Sequence, residues 1–254
     1  MRKSRVLTVS AALAAPLLAG AVWAPAAFAA DTTMYQATLN SLNSQTGATG
    51  TLSLTLNGSS ATITEHVSGL APTFMNAPYP HVQHIHGGAQ GVCPDMSADK
   101  SGDGVVSTVE GQPSYGKILT TLSTSGDTSP AAGTNVKTAP SGGSYDYSRT
   151  IQLDDATMQS IQGGNAVIVV HGDDPSKLPS AAQSEKSELV PSLPLAATSP
   201  ALCGALKAMP AGAAATGGGS TAGIEDGALA GLGAVALLGA GGALAYRRPA
   251  QATR

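Results

Sequence analysis

The chain has 254 residues, a net charge of −3 and a charged fraction of only 11%. It carries no basic patch able to neutralise a phosphate backbone, which excludes nucleic acid as a partner. Its first 29 residues read "MRKSRVLTVSAALAAPLLAGAVWAPAAFA": a basic start, an apolar run, and the small-residue step Ala27-Phe28-Ala29. This predicts a secretory signal peptide cut after Ala29, with a retained membrane anchor as the alternative. Residues 30–207 are long enough to bury one core and read as a single β domain. "MYQATL" alternates, with Tyr35, Ala37 and Leu39 on one face, and "TLSLTL" does the same with Leu52, Leu54 and Leu56. Asn57-Gly58 is a hairpin-turn signal. After it "ATITEHV" alternates again through Ala61, Ile63 and Val67, and "YDYSRTIQL" alternates from Tyr145 to Leu153. "DDATMQSIQGG" is predicted to be the only helix, capped by Asp154 or Asp155 and closed by Gly163 or Gly164. "NAVIVVHG" is a continuous apolar run, as expected for a strand buried on both faces. Short strands separated by Gly and Asn turns predict an all-β sandwich. Two stretches, 87–116 and 173–200, carry no strand pattern and are predicted to be long loops.

Beyond the domain, residues 208–227 include "AAATGGGSTAG", a flexible linker. Residues 228–246 are uncharged and close to the ~20 residues that span a bilayer. Arg247 and Arg248 follow, so the segment is expected to be a transmembrane anchor with residues 247–254 in the cytoplasm. It resembles the C-terminal anchors of Gram-positive surface proteins, without an LPxTG-type motif. The expected location is therefore the surface of a Gram-positive-type bacterium. Two cysteines in an exported chain, Cys93 and Cys203, predict one disulfide.

Three of the five histidines lie in "HVQHIHGG". His84 and His86 flank Ile85, and residues i and i+2 of a strand share a face. His171 ends the buried strand "AVIVVH", where a third ring can join them. Three imidazoles suit copper or zinc. His66 falls on the polar face of its strand with Thr62 and Thr64 and reads as a surface residue. His81 has the opposite parity to His84 and His86 and is a candidate fourth ligand if the chain bends after Pro80.

"DKSGDGVVSTVE" matches the twelve-residue calcium loop of EF-hands. Asp99, Ser101 and Asp103 stand at positions 1, 3 and 5, and Gly104 stands at the sharp turn. Val105 offers its carbonyl at position 7, Ser107 acts at position 9 and Glu110 is the bidentate residue at 12. Val106 is the apolar anchor. "GQPSYG" after Glu110 is expected not to continue a helix. A lone structural calcium loop follows from this reading, rather than a conformational sensor.

The order of these segments resembles the copper-zinc superoxide dismutases. "VSGLAP…HVQHIHGG" is similar to their Gly-Leu turn followed by H-V-H, "AVIVVHGDDP" to their later copper-binding strand, and "PALCGAL" to their terminal cysteine segment. Cys93 and Cys203 stand where that family has its bridging cysteines. The nearer resemblance is to secreted chordin-type (CHRD) domain proteins with an H-I-H-G-G pattern. It covers most of residues 31–207 and implies a Greek-key sandwich with copper at His84, His86 and His171. Two departures matter. The dismutases' bridging histidine corresponds here to Asp99, and their guiding arginine to Pro200. Three functions are weighed: a surface-anchored metal-binding module with structural calcium and copper, a copper enzyme acting on superoxide, and a purely structural surface domain.

Overall fold

A computed structural model describes residues 32–43 and 47–210. The signal segment 1–29, all but the first three residues of the linker 208–227, the apolar segment 228–246 and the tail 247–254 lie outside the described residues. The strands are β1 (Thr33–Ser41), β2 (Thr49–Asn57), β3 (Ser60–Ser68), β4 (Thr73–Phe74), β5 (Ala77–Pro78), β6 (Gln83–Gly87), β7 (Lys117–Thr121), β8 (Ser144–Gln152), β9 (Val167–His171), β10 (Pro200–Ala205) and β11 (Lys207–Ala208). The α-helices are α1 (Thr108–Tyr115), α2 (Asp155–Gln162) and α3 (Ser180–Gln183). One antiparallel sheet runs in the order β7-β6-β9-β10-β1-β2-β3-β8, with β11 added beside β1, and β4-β5 form a separate hairpin. The sheet curls. Arg149 on β8 donates to the carbonyls of Ser123 and Gly126 just beyond β7, at 2.8 and 2.6 Å. Tyr145 on β8 donates to Gln83 Oε1 on β6 at 2.8 Å.

The alternating segments fold as their period requires. Tyr35, Ala37, Leu39, Leu52, Leu54, Leu56, Ala61, Ile63 and Val67 all face one core, together with Ile168 and Val170 of β9. Each Leu, Ile or Val among them contributes roughly 1.5–3 kcal/mol by leaving water. The β2–β3 hairpin turns one residue later than expected: Asn57 pairs with Ser60, leaving Gly58-Ser59 as the turn, with Gly58 at φ +59°. One core-facing position of β3 is not apolar. Glu65 lies between Ile63 and Val67 at 4% exposure.

Two helix expectations are corrected. α2 is capped by Asp154 as expected, but it is not the only helix. The segment after Glu110 does continue as a helix, α1, with Gly111 and Pro113 inside it. A capping box overrides their poor propensity: Ser107 Oγ accepts from the Glu110 N–H, and Glu110 Oε2 accepts from the Ser107 N–H at 2.9 Å. Gly111 is required for packing, because a Cβ there would stand 2.5 Å from the Tyr115 ring. The stretches 87–116 and 173–200 hold no other named strand than the ends of β6 and β10. Cys93 and Cys203 form a disulfide that ties the first of these stretches to β10.

Candidate metal centre

β6 lies between β7 and β9. Its antiparallel register sets His84 opposite Val169 and His86 opposite Val167. Directly paired residues share a face, so Val167, Val169 and His171 follow on the same side as His84 and His86. Gln83 and Ile85 point the other way, and Ile85 enters the main core. His171, the last residue of β9, therefore closes the face that His84 and His86 begin. The ring centroids are 5.5 Å apart for His84–His86, 5.1 Å for His84–His171 and 6.0 Å for His86–His171. One nitrogen from each ring falls within 4.8 Å of the others. Among the described residues, no other three His, Cys, Asp or Glu side chains bring ligand atoms together in this way.

The second nitrogen of each ring is held by a backbone carbonyl. His84 Nε2 is 3.0 Å from Gly133 O, His86 Nδ1 is 2.9 Å from Gly116 O, and His171 Nδ1 is 2.7 Å from Thr198 O. A carbonyl only accepts, so each of these nitrogens carries the proton. The lone pairs are thereby assigned to His84 Nδ1, His86 Nε2 and His171 Nε2. Those three atoms are buried and have no hydrogen-bond partner. Burial also keeps the rings neutral. Desolvation, followed by repulsion from His171 and His86, pushes His84 well below the usual histidine range. Desolvation, helped by His171, lowers His86 to about 3, and desolvation lowers His171 to about 4. Three fixed, neutral imidazoles with converging lone pairs and carbonyl-anchored N–H groups are what a nitrogen-liganded metal ion requires.

Helix α1 braces this centre. The Tyr115 ring meets the His86 ring edge-on at 4.7 Å, and the Tyr115 hydroxyl donates to Thr108 O at 2.8 Å. Thr108 Oγ1 donates to Thr198 O, the carbonyl that also holds His171. Gly116, whose carbonyl holds His86, has φ +91°, and a Cβ there would strike the Gly87 carbonyl. Above the rings opens a cavity of about 80 Å³ whose walls include Val82, Ile118, Val136, Leu193 and Ala197.

The acidic loop leads directly into α1. Asp99 Oδ1 accepts from the Gly102 N–H at 2.7 Å, and Asp99 Oδ2 from the Gly104 N–H at 2.9 Å. Glu110 Oε1 accepts from the backbone of Lys100 and Ser101 at 2.8 and 2.9 Å. Asp103 Oδ1 accepts from the Val105 N–H at 2.7 Å. Val106 is buried as expected, and Val105 is the residue that packs with Leu178, Ala182, Leu195 and Ala196. The sequence reading missed two further carboxylates. Glu188 Oε2 accepts from Ser107 Oγ at 3.0 Å. Glu185 is held above its usual range by desolvation, then by the charges of Asp103, Glu110 and Glu188. Both arrive from the second long loop, about 80 residues away in the chain, where no local pattern marks them.

The remaining histidines separate cleanly. His66 is exposed and pairs with Asp146 at 2.8 Å, as its strand parity predicts. His81 does not join the centre. It is buried, with Nδ1 3.0 Å from His171 O and Nε2 3.1 Å from Ala71 O; both nitrogens face carbonyls, away from the other three rings' shared centre, and the neutral ring donates to one of the two. It supports the centre from behind, through the backbone of His171. Among the described residues no helix is long and apolar enough to cross a membrane. No protein-family model matches the chain, and no curated protein does.

Proposed function

We propose that this chain is an exported, surface-anchored metal-binding protein of the CHRD type, a Greek-key sandwich in which His84, His86 and His171 hold one copper ion. The observation that carries the reading is the set of three buried, unpartnered nitrogens whose ring partners are fixed by carbonyls. No thiolate or carboxylate belongs to the group. For an all-nitrogen site, divalent copper outranks zinc in intrinsic affinity. Bound copper would supply a redox-active centre with one side open to the cavity, while Gly133, Gly116 and Thr198 keep the rings oriented.

The loop Asp99–Glu110 is proposed to hold a structural calcium through Asp99, Ser101, Asp103, the Val105 carbonyl and Glu110, with Ser107 secondary. Glu110 supports this, because it caps α1 through Ser107 while its Oε1 accepts from the Lys100 and Ser101 N–H groups of the loop it would close. Calcium there would order the start of the helix that braces His86 and His171. Dismutation of superoxide is not favoured. Among the described residues no cationic side chain lines the cavity, and Pro200 and Asp99 stand where the dismutases have their arginine and bridging histidine. Elemental analysis of the full chain, purified without a histidine tag and dialysed against copper and calcium, tests the proposal. One copper per chain, lost in His84→Ala, is expected. Absence of both metals would leave a purely structural surface domain.

A further inference from the structure

The cavity over the three histidines has mostly apolar walls. Val82, Ile118, Val136, Leu189, Val190, Leu193 and Ala197 enclose it, and Thr108, Thr134 and Thr198 are its polar side chains besides the histidines themselves. Among the described residues, no charged side chain lines it. Val136 and Leu189, 49% and 55% exposed, form an apolar rim that solvent reaches. An exposed apolar rim leading to buried, unpartnered ring nitrogens is the anatomy of a ligand site rather than of a packing defect.

The wall selects further. Charge near the mouth is mixed: Glu188 adjoins Leu189 and accepts from Ser107, and Lys137 adjoins Val136. Neither of these charged residues lines the cavity. An approaching anion would therefore lose its hydration against an apolar wall. A neutral molecule does not meet that obstacle. At about 80 Å³ the space holds only a few non-hydrogen atoms before the ligand reaches the rim.

We propose that this cavity binds a small uncharged molecule with an apolar body, gripped by Val82, Ile118, Val136 and Leu193 and presenting its lone pair to the ion that His84, His86 and His171 hold. The second half of this statement rests on the metal reading above, and the first half does not. Two measurements on the full chain separate them. In the metal-free chain, xenon under pressure is expected to shift the methyl resonances of Val82, Ile118, Val136 and Leu193. No shift, or shifts confined to other residues, would overturn the cavity as an apolar ligand site.

In the chain loaded with copper(I), affinity for methyl, ethyl and n-propyl isocyanide is expected to rise about fourfold per added methylene. Val136→Ser, at an exposed rim position, should flatten that rise without lowering copper content. Isocyanoacetate, which carries the same donor on an anionic tail, should bind at least about tenfold more weakly than ethyl isocyanide. A flat series, or equal binding of isocyanoacetate, would overturn the proposal. Failure of copper to load would overturn the metal reading alone, and the xenon result would still decide the cavity.

Discussion

Glu65 occupies a core-facing position of β3, opposite Tyr147 of β8, and is 4% exposed. Neither carboxylate oxygen meets a hydrogen-bond donor in good geometry, and the Gln83 amide offsets only part of the burial. Desolvation therefore raises its pKa from 4.5 to about 8. The folded chain keeps a proton on Glu65 that the unfolded chain releases above pH 4.5, so the contribution of Glu65 to stability falls as pH rises from 4.5 to about 8 and then levels off. The shift corresponds to an upper bound of about 5 kcal/mol, since each pKa unit is worth ~1.4 kcal/mol. Glu65→Gln keeps the shape and removes the charge. The buried histidines add stability over the same range in both proteins, so the test is the difference between them: urea unfolding should show the wild type losing at least about 2 kcal/mol relative to Glu65→Gln between pH 5 and pH 9. Parallel pH profiles for the two proteins would show that Glu65 is not buried as a neutral acid, and the reasoning would fail.

Other consequences follow from the same structure. Replacing both Cys93 and Cys203 by serine opens a link across 110 residues and should cost about 4–5 kcal/mol in urea unfolding. Gly116→Ala forces a side chain into left-handed backbone against Gly87, so it should lower the melting temperature and loosen copper retention together in a chelator challenge. Millimolar calcium should raise the melting temperature of the wild type by mass action, and Glu110→Gln should lose most of that rise. A calcium-independent melting temperature in the wild type would remove calcium from the account.

Much of the sheet was legible because alternation is a direct consequence of strand geometry, and β1, β2, β3 and β8 follow it. The histidine face was legible for the same reason: parity within β6, and the end of an apolar strand, place His84, His86 and His171 together. Helix α1 was not, because propensity counts Gly111 and Pro113 against it while the Ser107–Glu110 capping box outweighs them. The carbonyls of Gly133, Gly116 and Thr198 could not be read at all, since every residue has one and only the fold decides where it points. His81 shows the limit of parity. It correctly set the ring apart from His84 and His86, but the ring's two carbonyl partners come from elements distant in sequence.

Three neutral imidazoles, through His84 Nδ1, His86 Nε2 and His171 Nε2, are proposed to hold one copper ion. X-ray absorption at the copper edge of the loaded full chain tests this most directly. Three nitrogen scatterers with the outer-shell pattern of imidazole rings are expected, with loss of bound copper in His86→Ala. A spectrum dominated by oxygen or sulfur, or one unchanged in His86→Ala, would contradict it.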